Sequence, residues 1–405
     1  MLAFGCETAS NVTPAFRQYF MRFYGENGNQ FGVDMIPLAS GNLMIAGNSY
    51  QSPSVYRMYM LIVDAEGNVL REKSLGVNQE LAQDIEFIPA GPDAGNYVLL
   101  SNVRKNSNDS TAIRLTIVSP GGDSLKSYYY NLLASQVGKS VTPLNDGSFF
   151  ICGNTTDTDN NENTDLGAVG LNDIEDQLVI MINPDYSVNY AKRIGGSSRG
   201  SCIKILQGAG VYYYAGFSDR LVGSESGASN YENNFEFRVF TVNPASGITN
   251  FFAGTPVLGE EMAALTRSPS GIFMAVGTQI ISTIQKRIYA ALINNTFSTV
   301  IGEGTIPVST TEALEGVHVA PYGGSRFLVA ANLVNAQGRS NIWLARINSE
   351  FNLDFQSVFG GTGTDDRVSR VMELPGGDIM LLGTMDLSNQ RKIALIRLRP
   401  DGRFE

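Results

Sequence analysis

Oxygen-bearing side chains fill every position of Asp157-Thr158-Asp159-Asn160-Asn161-Glu162-Asn163-Thr164-Asp165. Asp157, Asp159, Asn161 and Asp165 take loop positions 1, 3, 5 and 9. With a backbone carbonyl at position 7, that spacing can wrap one Ca²⁺. Glu162 stands at position 6, where such loops need a permissive backbone, and the ordinary alternative is a solvated acidic loop. A second group is Asp34, His318 and Arg370, which hold equivalent places in an internal repeat and can converge on one small ligand. The same count adds Ser140, Ile203 and Ala264, with Asp84 and Glu86 nearby. Cys152 and Cys202 can also approach one another. A disulfide there requires an oxidising compartment, and unpaired buried thiols are the more ordinary outcome. No H-E-x-x-H pair or histidine cluster is present. Carboxylate pairs do occur, but Asp is common in tight turns for backbone reasons alone.

The elements that must position these residues follow from the repeat. A short apolar strand ends on a small residue at Gly47, Ser101, Gly153, Gly216, Gly277, Ala331 and Gly383. Successive spacings are 54, 52, 63, 61, 54 and 52 residues by subtraction. Periods of this size with several strands per unit indicate a propeller or related array. Each unit adds a third strand ending in a turn, such as Leu61–Asn68 or Ile396–Gly402, and a fourth strand such as Phe355–Phe359. The strand Gln18–Phe23 precedes the first complete unit, while the last unit stops without a fourth strand. The expected fold is therefore all-β: a seven-bladed β-propeller of four-stranded antiparallel blades, closed by the N-terminal strand. Closure removes the exposed edges of a strand array. Residues 18–405 form the propeller and residues 1–17 a tether. First strands line a propeller's central channel, which places Asp34, His318 and Arg370 there. Continuous apolar runs such as Leu178–Ile182 suit sheets buried on both faces.

Phe359-Gly360-Gly361, Ile194-Gly195-Gly196, Asn145-Asp146-Gly147, Ala46-Gly47 and Asp64–Gly67 resemble the loose repeat of bacterial secreted and lipoprotein seven-bladed propellers. The resemblance covers residues 18–405 and implies architecture rather than activity. The loop at 157–165 is similar to the calcium loops of integrin-type propellers. Leu2-Ala3-Phe4-Gly5-Cys6 resembles the end of a bacterial lipoprotein signal peptide. That resemblance implies lipidation of Cys6 and a place in the envelope of a Gram-negative bacterium, as an outer-membrane lipoprotein that meets the membrane only through its lipid.

A net charge of −10 argues against a nucleic-acid partner, because phosphate binding needs clustered Lys and Arg. The unit-to-unit connections carry Glu26, Glu80, Glu260, Glu261, Glu312, Glu315, Asp365 and Asp366. Propeller topology gathers them on one face, beside long insertions at 154–176 and 217–234, the second of which holds Tyr231. The expectation is an acidic partner-binding face that includes Glu260, Glu261, Glu312, Glu315, Asp365, Asp366 and Tyr231. The expected function is a non-enzymatic scaffold lipoprotein that offers this face to a protein or glycan in the envelope, possibly within an outer-membrane complex. The alternative is a carbohydrate-active propeller, a lyase or glycosidase, marked by a carboxylate pair flanking a deep pocket.

Overall fold

A computed structural model describes residues 19–105, 110–132, 135–155, 176–194, 200–219, 233–241, 249–254, 258–282, 284–308, 311–388 and 390–404. These form seven four-stranded antiparallel sheets. Six sheets use consecutive strands; blade 1, for example, is Asn29–Pro37, Leu43–Ser52, Val55–Val63 and Val69–Leu75. The seventh joins Arg367–Glu373, Ile379–Leu387 and Gln390–Leu398 to the N-terminal strand Phe20–Tyr24. That strand pairs with the third strand of blade 7 from Phe20↔Arg397 to Tyr24↔Ile393, so the ring closes between the two ends of the chain. No helix appears among the described residues.

Strand one of every blade lies innermost and carries a β-bulge. The register jumps between Gly32 and Asp34, Ala82 and Asp84, Gly138 and Ser140, Cys202 and Lys204, Met262 and Ala264, Gly316 and His318, and Val368 and Arg370. A bulge bends its strand and re-aims the side chain beside it. It also accounts for the small residue that marks the repeat. The bulged strand drives its own carbonyl toward strand two, and a Cβ on Gly47 would sit 2.6 Å from the Phe31 oxygen. At Gly383 the same clash would occur with Arg367, at 2.7 Å.

The residue after the landmark ties neighbouring blades together. The Asn48 side chain accepts from the Ala82 N–H at 2.8 Å, and Asn102 accepts from Gly138 at 2.8 Å. Thr278 accepts from Gly316 at 3.1 Å, and Asn332 from Val368 at 3.0 Å. Thr384 accepts from Gly32 at 3.0 Å, carrying the pattern across the closure. Each tie satisfies a backbone N–H of strand one, buried in all but the Gly316 case. Between blades 3 and 4 a disulfide joins Cys152 to Cys202, with a Cα separation of 5.1 Å. The thiols are thus paired rather than free: Cys202 stands at the bulge of strand one, level with the middle of the neighbouring strand Phe149–Thr155.

Candidate functional site

The seven bulges build the channel lining. The residue after each one is Asp34, Asp84, Ser140, Lys204, Ala264, His318 or Arg370, one per blade, and all seven line a central cavity of about 1000 Å³. Asp34, His318 and Arg370 therefore stand on one lining. In blade 4 the residue after the bulge, equivalent to Asp34, is Lys204, and Ile203 lies at the bulge itself. The strand-one turn of that blade is shorter, with Gln207 opposite Tyr212 where blade 1 has Pro37 opposite Leu43. Blade 2 has a longer turn, Phe87 opposite Tyr97, which selects Asp84.

The charged members form one network. Arg370 contacts Asp34 at 2.7 Å and lies 3.9 Å from Asp84. The Lys204 ammonium crosses from blade 4 to blade 2, reaching Glu86 at 2.6 Å and Asp84 at 3.4 Å. Backbone donors reinforce both buried carboxylates. Asp34 accepts from Met35 at 2.7 Å and from Ile85 at 3.1 Å, and Asp84 accepts from Val141 at 2.9 Å. Burial, with the Asp84 and Glu86 carboxylates beside it, pushes Asp34 well above the usual carboxylate range against the pull of Arg370. Burial also acts on Asp84, but Lys204, the Asp34 hydrogen bond and Arg370 together hold it below its ordinary value.

His318 takes the N–H of Val371 on Nδ1 at 3.4 Å, which puts the ring proton on Nε2. Burial, then Arg370 and Lys204, push its pKa well below the ordinary 6.5, so the imidazole is neutral at physiological pH. The unfolded chain binds this proton near pH 6.5 and the folded chain only at lower pH. Stability from His318 is therefore present above 6.5 and is lost as pH falls below it. Acidification from about pH 7.5 to about pH 5 should cost wild type more stability than His318→Gln, by up to ~1.4 kcal/mol per pH unit. Asp34 acts with the opposite sign in both proteins, so thermal melts of the pair isolate His318. Parallel pH profiles would rule out the buried neutral imidazole.

The acidic face is corrected at Glu260 and Asp366, which are 0% and 1% exposed. Asp366 accepts from Gly361 N–H at 3.1 Å, the Thr364 hydroxyl at 2.5 Å and Asp386 N–H at 2.8 Å. Its carboxylate fills the space beside Gly360, at φ +135°, where a Cβ would collide with it. Glu80 does the same beside Gly76, accepting from Val77, Ser101 and Arg114. Glu260 accepts from Gln279 at 2.8 Å. These acids buttress the connections from inside and offer nothing to a partner. Asp365 contacts Arg391 at 2.8 Å and Arg367 at 3.2 Å, and Glu315 contacts Lys286 at 2.7 Å. Glu261 is half-buried, and Glu26 and Glu312 are the exposed acids of the connections. Cys6, Asp157, Asp159, Asn161, Asp165 and Tyr231 lie outside the described residues. Among the described residues no group of three or more His, Cys, Asp or Glu is placed to hold a metal ion.

Sequence reasoning did not single out another set. The exposed large apolar residues Val55, Val77, Leu132, Ile284 and Leu387 all sit on connections or hairpin tips of the upper face, where strand one begins. Among the described residues seven more lie along fourth strands at the outer rim, including Ile301 and Val358, and Phe87 lies at the lower end of strand one. The signal was an apolar residue inside a polar turn, as in Ser282-Thr283-Ile284-Gln285.

No family model matches the chain, and no curated protein matches it in sequence. Among solved structures it is similar to the β-propeller domain of the Trilobed protease from Pyrococcus furiosus, at 7% identity and TM-score 0.50, over 91% of this chain and 93% of that one. A protein of unknown function from Dyadobacter fermentans is similar at 10% identity and TM-score 0.46, over 94% and 98% of the two chains. The Pyrococcus horikoshii acylaminoacyl peptidase matches 90% of this chain at 10% identity and TM-score 0.48, and this chain spans about half the length of that peptidase, 51%. The P. furiosus domain has an open velcro topology; here Phe20–Tyr24 completes the last sheet. At such identities the likeness is one of fold, and the chain is a seven-bladed β-propeller.

Proposed function

We propose that the protein is a non-enzymatic scaffold of the Gram-negative cell envelope, tethered through a lipidated Cys6, which offers the upper face of its propeller to a protein partner. The carrying observation is the exposure of aliphatic side chains at connections and hairpin tips of the upper face. Five cap the upper face, and Ile284 is 84% exposed. Solvated loop tips gain nothing from Ile or Leu, and exposed apolar side chains on one face suit an interaction surface. Aliphatic tips suit protein pockets better than sugar rings, which are usually met by aromatic platforms. The direction of the chain supports the same reading. Phe20 pairs with Arg397 beside the lower turn at 399–403. A tether reaching back to Cys6 therefore leaves from the lower face, and the upper face points away from the membrane. The channel carboxylates Asp34 and Asp84 are tied up by cations and backbone donors rather than flanking an open gap, which favours binding over glycoside hydrolysis.

Partners captured from native envelopes by the wild-type protein, and identified by mass spectrometry, provide the assay. The double variant Ile284→Ser, Leu387→Ser should reduce capture at least tenfold, the scale of losing ~1.4 kcal/mol at an interface. Its melting temperature should stay that of wild type, because both side chains are exposed. The rim control Ile301→Ser, Val358→Ser should capture normally. Undiminished capture by the tip variant, or a loss confined to the rim variant, would overturn docking on the upper face.

A further inference from the structure

We infer that Cys152 and Cys202 are joined during folding, by exchange with the disulfide of a thiol oxidoreductase, and that the finished propeller closes the bond to further thiol chemistry. Cys152 lies in Phe149–Thr155, the second strand of blade 3, and Cys202 in Ser201–Gln207, the first strand of blade 4. Their Cα atoms are 5.1 Å apart, at a sequence separation of 50. Cys152 is 1% exposed and Cys202 0%. Both belong to a buried apolar cluster with Phe150, Val179, Ile205, Tyr214 and Phe240. A reagent must touch a sulfur to exchange with it, so the rate of thiol–disulfide exchange depends on access. Apolar surroundings also raise the pKa of a thiol and leave little thiolate, which is the attacking form. Inside the closed ring neither condition for making the bond is met, and no reductant reaches it.

Chain order leaves an interval in which both conditions hold. Blade 4 contributes Tyr214, in Tyr212–Asp219, and Phe240, in Asn233–Phe240, to the cluster, and both strands follow Cys202 in the chain. Once Ser201–Gln207 has reached blade 3, and before those strands dock, the two cysteines lie side by side in contact with solvent. One thiolate then attacks the oxidoreductase disulfide, breaking its S–S bond and forming a mixed disulfide. The second thiolate attacks the substrate sulfur of that mixed disulfide, which forms Cys152–Cys202 and releases the oxidoreductase as a dithiol. Two electrons and, through solvent, two protons pass from the chain to the oxidoreductase. The position of the bond gives it a purpose. Cys202 precedes the bulge of blade 4, the place at which Gly32, Ala82, Gly138, Gly316 and Val368 receive their side-chain ties in other blades. The cross-link thus fixes blade 4 to blade 3 at the point where the ring is tied elsewhere. An oxidising compartment holds such oxidants, in line with an envelope location, but the order of events depends neither on that location nor on the partner-binding face.

The test uses the full-length protein, with alkylation read by mass spectrometry on the peptides that hold Cys152 and Cys202, so that Cys6 does not enter the count. With dithiothreitol at neutral pH, the folded protein should lose the bond at least about a hundredfold more slowly than the same protein in guanidinium above its unfolding midpoint. A chain reduced in denaturant and refolded without oxidant should keep both thiols when oxidised glutathione is added afterwards. Oxidised glutathione present from the start of refolding should restore the bond. If the reduced chain does not refold, the two reduction rates and the refolding with oxidant decide. Reduction of the folded protein as fast as that of the unfolded chain, rapid oxidation of thiols already enclosed in the refolded propeller, or free thiols at both positions after refolding with oxidised glutathione would each overturn the inference.

Discussion

Removal of residues 1–24 should leave a chain that no longer unfolds cooperatively near the temperature of the full-length protein. The strand Phe20–Tyr24 is the outer strand of blade 7, and its loss uncovers a sheet edge along Ile393–Arg397. Phe20 and Tyr24 are both buried, and their cluster includes Ile393 and Leu395 of blade 7 together with Tyr59 and Leu61 of blade 1. Two buried aromatic side chains contribute about 1.5–3 kcal/mol each. The Tyr24 hydroxyl also donates to the Gly67 carbonyl at 2.8 Å, and Arg22 to Asn68 at 2.9 Å, both in blade 1. Ladder bonds add roughly 0.5–1.5 kcal/mol apiece. The total rivals the ~5–15 kcal/mol by which a folded domain exceeds its unfolded state. The expected product is a poorly soluble protein, because the bare edge can pair with another copy. Differential scanning calorimetry of the truncated and full-length chains decides the matter: equal melting temperatures would show that closure by this strand contributes nothing.

The fold was legible because one steric rule writes itself into the chain seven times. A bulged strand one forces a small residue opposite, and that residue is visible as Gly47, Gly153 or Gly383 without any structure. Turn chemistry and the orphan strand at 18–23 supplied the closure. The channel was less legible, because counting back from the landmark assumes a constant turn. The shorter turn of blade 4 turned Lys204 into Ile203, and with it hid the cation that neutralises Asp84 and Glu86. Pairing of Lys204 with a carboxylate two blades away leaves no local trace in sequence. The acids of the upper face misled for another reason. Glu260 and Asp366 follow glycines at 254 and 360 by six residues, Glu80 follows Gly76 by four and Gln30 follows Gly25 by five. In each case the missing Cβ makes room for the buried side chain. That recurrent Gly-then-Glu, Asp or Gln spacing was the available sign that these carboxylates point inward.

Lys204→Met should be among the most damaging single substitutions in the propeller, although it removes a polar residue from a cavity and adds an apolar one. The side chain spans blades 4 and 2 and holds Glu86 at 2.6 Å, Asp84 at 3.4 Å and the Val141 carbonyl of blade 3 at 3.4 Å. Without it the Asp84 carboxylate stays buried with Arg370 only at 3.9 Å, and that cation is already committed to Asp34 at 2.7 Å. Deleting one partner of a buried pair costs about 3–5 kcal/mol, because the other charge remains desolvated. The double variant Lys204→Met, Asp84→Asn removes the stranded charge and should recover much of that loss. The dependence on pH separates this electrostatic account from a packing defect. In wild type the folded-state pKa of Asp84 is depressed below 3.8, so its stabilising contribution is present above that value and lost only as pH falls through the lower one. Lys204 is the foremost of the charges holding it down. In the variant, burial prevails and the folded pKa rises above the unfolded one. Acidification toward about pH 4.5 then protonates the stranded carboxylate and stabilises the fold. Guanidinium unfolding at neutral pH and at about pH 4.5 should therefore show a deficit that shrinks on acidification. An unchanged deficit would assign the loss to packing, and a deficit below ~1 kcal/mol at neutral pH would mean that water, rather than Lys204, balances the two acids.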